Sequence, residues 1–229
     1  MVHFNWLQLI PGVGHHYIHV ATAMAVTLLI VLFAIVGRMA LGSGEQAIQP
    51  AGKFSIKGIF EAILEFIISL IDMVVGERGR IYIPLFGSIF LFIFLNNIFG
   101  LVPGMTPATD NLNTTLAVGL FVFVAYNLLG LKENGVGYLK HFLGPILLLA
   151  PLMLPIEIIS HVVRPLSLGL RLQGNMTGDH TVLGIFLDLT KLVVPVAFYG
   201  IGLFVCFVQA FVFTLLSMVY VSMATAHDH

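Results

Sequence analysis

Three apolar runs without Asp, Glu, Lys or Arg dominate the chain up to Leu131, at 17–37, 81–102 and 112–131. Each is about as long as the roughly 20 residues a helix needs to cross a bilayer core about 30 Å thick. The second run holds only Ser88, Asn96 and Asn97 as markedly polar groups. Beyond Lys140 the pattern changes, because 139–187 and 192–224 are apolar stretches longer than one perpendicular crossing. As a helix the second of these would extend about 50 Å at 1.5 Å per residue, so it must tilt or bend. Between the first two runs, Ile56, Ile59, Phe60, Ile63, Leu64, Ile67, Ile68, Ile71 and Val75 recur at helical spacing, interrupted by Lys53, Lys57, Glu61, Glu65 and Asp72. That spacing predicts an amphipathic helix over 52–77 lying at a membrane interface. The expected architecture is an all-α polytopic membrane protein in one domain, 1–229. It comprises an N-terminal segment at 1–16, the interfacial helix, and five membrane segments, of which 139–187 and 192–224 are long, tilted and packed as a hairpin.

Composition excludes a water-soluble enzyme. Hydrophobic residues make up 59% of the chain and charged ones 9%, against about 25% charged in soluble domains, and mean hydropathy is +1.03. A net charge of -1 gives no sign of nucleic-acid binding. Cys206 is alone, so neither an internal disulfide nor a CxxC metal or redox centre is expected. The first fifteen residues hold no Lys or Arg and no small-residue cleavage site, so no cleaved signal peptide is indicated.

Basic residues then orient the crossings, because they are retained on the cytoplasmic side. Residues 1–37 have none, 38–80 hold Arg38, Lys53, Lys57, Arg78 and Arg80, 103–111 have none, and the next loop holds Lys132 and Lys140. The N-terminus is therefore expected outside and, with the last two segments as a hairpin, the C-terminus inside.

Arg164 and Arg171 break this order by sitting within apolar sequence, while Lys191 falls in the turn between the long segments. A charge at mid-membrane costs roughly 2.5–3.5 kcal/mol even on the lenient insertion scale, and guanidinium cannot shed its proton. At 100° per residue, Glu157, Arg164, Ser167, Asn175 and Gly178 lie within about 40° of Arg171, a polar stripe on one helix. Gly202, Gln209 and Tyr220 share a face of the last helix within about 20°. Two polar stripes on long helices make a path for something hydrophilic. The bland alternative is a static network in which Glu157 pairs Arg164 and Asn175 and Gln209 bridge helices; it explains Arg171 less well, since Glu157 cannot satisfy both arginines.

The run from Arg164 through Pro165, Leu166, Ser167, Leu168, Gly169, Leu170, Arg171, Leu172, Gln173, Gly174 and Asn175 to Met176 resembles the signature of subunit a of the F-type ATP synthase. Asn97 to Pro103, Thr109-Asp110 with Asn113 to Thr115, Gln209 to Phe213, and Tyr220 to Ala224 resemble further segments of that family. The resemblance covers 17–224. It implies a non-catalytic, proton-translocating stator subunit without cofactor, set against a rotating ring of small c-type proteolipids and held by peripheral-stalk b-type subunits, in a bacterial inner membrane. Nucleotide chemistry would reside in partner subunits. Arg171 matches the family's essential arginine, Asn175 and Gln209 polar residues beside it, and Glu157, Ser160 and Ser167 the cytoplasmic half-channel. Asn97, Asp179 and Tyr220 complete the expected ion path. Three positions depart from the usual pattern: His180 stands where many members carry Glu, Gly202 where many carry His, and Gln173 replaces Phe. A histidine titrates near neutral pH, so His180 is a candidate proton relay at the outer end, with Gly202 opposite leaving room for its ring or for a water beside it. An interfacial role at a helix end is the competing reading.

Other polar residues carry weaker expectations. His15, His16 and His19 lack a companion carboxylate or Cys and suit an interface better than a metal. His161 is balanced between the inner half-channel and a satisfied lipid-boundary residue. His227 to His229 read as a solvated tail and Gly42 to Gly44 as a turn. A secondary transporter would show related halves, and a membrane hydrolase would need a nucleophile with a base, or HExxH; neither is found.

Overall fold

A computed structural model describes residues 5–9, 14, 17–41, 55–135, 138, 150–189 and 193–225. Its long elements are α1 (Ile18–Leu41), α2 (Ile56–Val74), α3 (Ile83–Leu101), α4 (Leu112–Asn134), α5 (Ala150–Leu189) and α6 (Val193–Thr225), with short 3-10 turns at Trp6–Leu9, Glu77–Tyr82 and Ala108–Asp110. Among the described residues there is no strand. Among the described residues five helices are long and apolar enough to cross a membrane, at Ile18–Ala40, Glu77–Leu101, Leu112–Asn134, Met153–Phe186 and Val196–Thr225. The chain is thus the all-α membrane protein its hydrophobic runs predict; Lys53, Lys140 and Lys191 fall outside the described residues.

Local chemistry sets the helix ends. Ser55 caps α2 by accepting a hydrogen bond from the Gly58 N–H at 3.0 Å. Pro84 sits in the first turn of α3, where its missing N–H has no helical partner to lose. That helix ends at Leu101, and Val102 turns extended ahead of Pro103. Asn111 caps α4, accepting from the Asn113 N–H at 2.9 Å. Past Asn134, Gly135 takes a φ of 54°, a left-handed value that favours glycine.

The core lies where α3, α4, α5 and α6 meet, around Phe86, Ile93, Val122, Tyr126, Leu172, Met176, Phe213 and Met218. Ile67, Leu70 and Ile71 of α2 join it, whereas Ile56 and Ile59 at the start of its apolar stripe are exposed. An apolar cavity of about 510 Å³ lies where α1, α2, α3 and α6 meet, lined by Leu29, Phe33, Phe66, Phe90, Phe94 and Phe207. Small residues bring α4 onto α5: a Cβ on Gly119 would lie 2.6 Å from the Pro165 carbonyl oxygen, and one on Gly169 would touch the Leu116 backbone at 3.2 Å. Close backbone approach of this kind is how membrane helices gain dispersion contacts without a hydrophobic driving force between them.

Each end of the bundle has a polar fastening. At one end Arg80 grips the Asp72 carboxylate through Nε at 2.9 Å and Nη2 at 2.7 Å, tying the end of α2 to the turn that opens α3. At the other end the N-terminal segment clasps the loop between α3 and α4. Trp6 donates from its backbone to the Gly104 carbonyl at 3.1 Å and from Nε1 to the Pro103 carbonyl at 3.2 Å. Asn5 Nδ2 donates to Thr106 Oγ1 at 2.7 Å, and Thr22 of α1 donates to the Thr106 carbonyl at 3.2 Å.

Candidate functional site

Helix α5 is 40 residues long with Pro155 and Pro165 inside it, about 60 Å at 1.5 Å per residue and so twice the bilayer core. It turns Leu168, Leu172 and Met176 into the core and leaves its polar stripe uncovered. Ser160, Ser167, Arg171 and Asn175 are exposed, and Glu157 and Arg164 half-buried. Pro165 has no N–H to give the carbonyl of His161, so the stripe passes a point where the helix ladder lacks a rung.

The two arginines differ. Arg164 Nη2 lies 4.0 Å from Glu157 Oε1, and its guanidinium stands over the Tyr220 ring of α6 at 5.5 Å from the centroid. Among the described residues no carboxylate lies within ion-pair distance of Arg171. The static network therefore describes Arg164 and fails for Arg171, a permanent cation exposed in the middle of a helix long enough to span.

One turn along, Asn175 Nδ2 donates to Gln209 Oε1 of α6 at 2.6 Å. Gln209 is 4% exposed and its Nε2 has no protein partner. Toward the clasped end, α3, α5 and α6 bring together Asn97, Gly100, Asp179, His180 and Gly202. A Cβ on Gly100 would run into His180 Nε2, and one on Gly202 would sit 3.2 Å from Asp179 Oδ2 and 2.8 Å from the Leu101 side chain. Gly100 thus makes room for the His180 imidazole, while Gly202 faces Asp179 and Leu101, so the ring packs against the first glycine and not the second. Asn97 is 1% exposed, accepts from Thr109 Oγ1 at 2.7 Å, and keeps Nδ2 unpartnered. Thr177 Oγ1 donates to Asp110, pinning the same end of α5 to the clasped loop.

Toward the other end, His161 is buried against the rings of Tyr126 and Phe123 of α4, with centroids at 5.6 and 6.0 Å. Its Nδ1 is 3.9 Å from Glu157, and its Nε2 is 3.4 Å from the hydroxyl of Tyr138. Sequence reasoning missed Tyr138 and its partner Asn127; the one available signal was an amide within an otherwise apolar run. Among the described residues no cluster of three His, Cys, Asp or Glu could hold a metal, and His15 and His16 fall outside them.

The arrangement is a file of polar groups along two apolar helices, with one unpaired cation at its middle. The chain matches the family of ATP synthase A chains across residues 19–222. It is 61% identical over 227 residues to the ATP synthase subunit a of Bdellovibrio bacteriovorus, covering 99% of each chain. It is 43% identical to ATP synthase subunit a 1 of Pelobacter propionicus, covering 92% of this chain and 88% of that one. Against ATP synthase subunit a of Geobacter sulfurreducens the identity is 42%, with 91% and 90% covered.

Proposed function

The chain belongs to the ATP synthase A chain family, and from that premise we propose that it is the stationary proton-conducting subunit against which a ring of c-type proteolipids turns. The observation that supports this reading best is Arg171, uncovered and without a carboxylate partner on the open stripe of α5. A carboxyl group carried past it by a ring subunit is the partner that compensates its charge. At about 4 Å and an effective dielectric near 20 the attraction is roughly 4 kcal/mol, equivalent to about three pKa units. That drives the proton off each arriving carboxyl. The same fixed charge repels hydronium and prevents direct leakage, so protons cross only by riding the ring.

Two half-paths meet at this point. The inner one follows Ser167, Arg164 with Tyr220, Ser160 and Glu157 toward the end bearing Arg78, Arg80 and Lys132, which the basic-residue bias places in the cytoplasm. The outer one runs from Asn175 and Gln209 to Asp179, His180, Asn97 and the space left by Gly202. The N-terminus lies outside and the C-terminus inside a bacterial inner membrane. Peripheral-stalk b-type subunits hold the chain still, and nucleotide chemistry belongs to other subunits.

The test is Arg171→Ala and Arg171→Lys in the assembled complex. Alanine abolishes coupled synthesis and ATP-driven pumping while leaving assembly intact. Lysine rescues poorly, because a compact ammonium replaces a broad planar fork. Pumping at the normal rate by Arg171→Ala would refute the reading.

A further inference from the structure

Glu157, Arg164 and Arg171 stand seven residues apart on α5, so each lies within about 20° of the next and about 10 Å from it along the axis. Arg164 therefore has a neighbour of opposite sign two turns back and one of its own sign two turns ahead. Helical side chains lean toward the N-terminus, and Arg164 follows that slope: its Nη2 comes to 4.0 Å from Glu157 Oε1, away from Arg171. Its guanidinium also stands over the Tyr220 ring of α6, 5.5 Å from the centroid. That ring is braced in turn, packing at 5.8 Å against Tyr126 of α4, which is 1% exposed. Tyr126 and His161 also stand within electrostatic reach of Arg164. Two arginines of one face are thus treated differently. The Arg164 side chain is 21% exposed, with a carboxylate and an aromatic face on its charge. Arg171 is exposed, and among the described residues no carboxylate lies within ion-pair distance of it.

We infer that Glu157 and Tyr220 are positioning residues that hold Arg164 back, so that Arg171 alone meets a passing ring carboxyl. The inference rests on the role proposed above for Arg171. A ring carboxyl that has given up its proton is an anion, and it moves on once it is neutralised again. An uncompensated guanidinium about 10 Å from it, at an effective dielectric near 20, favours the charged form by about tenfold and so delays departure. The Glu157 carboxylate cancels that pull, because from the ring the pair is a dipole and not a charge. Tyr220 contributes direction more than charge: cation–π attraction keeps the guanidinium over its face. Released from both, Arg164 becomes a second stop on the track of the ring, on the same helix face as the first.

The experiment is ATP-driven pumping by the assembled complex in inverted membrane vesicles, normalised to the amount of complex, for Glu157→Gln, Arg164→Gln and the two together. Glu157→Gln should fall about tenfold, the full pull of an uncompensated Arg164. Arg164→Gln should fall about threefold, because water in the exposed stripe stands in for one lost polar group. In the double variant there is nothing left to restrain, so pumping should recover to near the Arg164→Gln level. Independent roles in the path, or in the fold, would instead multiply the two losses to about thirtyfold. Tyr220→Leu should fall about threefold and Tyr220→Phe, which keeps the aromatic face, by less; on the Arg164→Gln background Tyr220→Leu should add no loss. Multiplied losses overturn the inference, and so does a Glu157→Gln complex that pumps like the parent. If Glu157→Gln fails to assemble, Tyr220→Leu, alone and on the Arg164→Gln background, decides by the same criteria. Arg171→Ala runs alongside: normal pumping by it removes the role on which the inference rests, and both fall. An inactive Arg171→Ala together with multiplied losses leaves that role standing and overturns only the restraint of Arg164.

Discussion

Replacing Gly119 with Ala tests how finely the arginine helix is held. The added Cβ would sit 2.6 Å from the Pro165 carbonyl oxygen, whereas ordinary contact begins at 3.4 Å, so α4 and α5 must separate by about 0.8 Å, the difference between the two. Backbone cannot swing aside as a flexible side chain can, and overpacking of this kind costs about 1–3 kcal/mol. Alanine's better helix propensity offsets about 0.5–1 kcal/mol of it. Arg171 lies six residues beyond Pro165, about 9 Å along the axis, close enough to share the displacement. If a ring carboxyl passes Arg171 as proposed, a change in their separation between about 4 and about 4.8 Å alters the attraction by about 0.7 kcal/mol at a dielectric near 20, about threefold in the deprotonation equilibrium. Coupled pumping in inverted vesicles, normalised to the amount of assembled complex, should fall about threefold. Gly87→Ala is the control, since its Cβ would meet nothing within 4 Å, and it should pump normally. A Gly119→Ala complex as active as the parent, or a Gly87→Ala complex equally impaired, refutes the argument.

His180→Ala should slow synthesis, while His180→Glu should remain active with its optimum at lower outside pH, following the roughly two-unit lower reference pKa of Glu; rates that track the parent for both variants from pH 6 to 8 exclude His180 as the outer relay. The Arg80 hydrogen bonds hold the Asp72 carboxyl below its ordinary 3.8, so its contribution to stability is present above that value and is lost as pH falls through the lowered one. The thermal midpoint of Asp72→Asn should accordingly differ from the parent by a constant amount between pH 6 and 8, with the gap closing only below about pH 4; a gap that changes near neutrality would assign the effect to another group.

The spans were legible because the bilayer permits few alternatives: a run of twenty apolar residues has to satisfy its backbone as a helix. Helix ends were less so. α4 continues past Leu131 through Lys132 and Glu133, polar residues that a hydrophobic run excludes but a helix accepts. Arg171 stood out in the sequence for an energetic reason, since a charge within an apolar run is costly and calls for compensation. Which glycine served which side chain was not. Gly100 and Gly202 lie on different helices, and only the packing register shows that the first faces His180 and the second Asp179. The Tyr138 and His161 contact was hidden for the same reason, its partners lying on separate elements and 23 positions apart.

The N-terminal clasp has a temporal side. Asn5 and Trp6 leave the ribosome well before the residues they fasten to, which are 101 and 97 positions downstream. At about 5–20 residues per second, the segment waits roughly 5–20 s for its partner. With α1 and α3 as spans and α2 outside the set of candidate spans, Pro103 and Thr106 reach the same side of the membrane as Asn5 and Trp6. A chain with α2 threaded through, or with α3 left behind, delivers the loop to the wrong face, and no rearrangement short of re-insertion can close the latch. The clasp thus reports, before α5 has been made, whether the first half of the chain was inserted correctly.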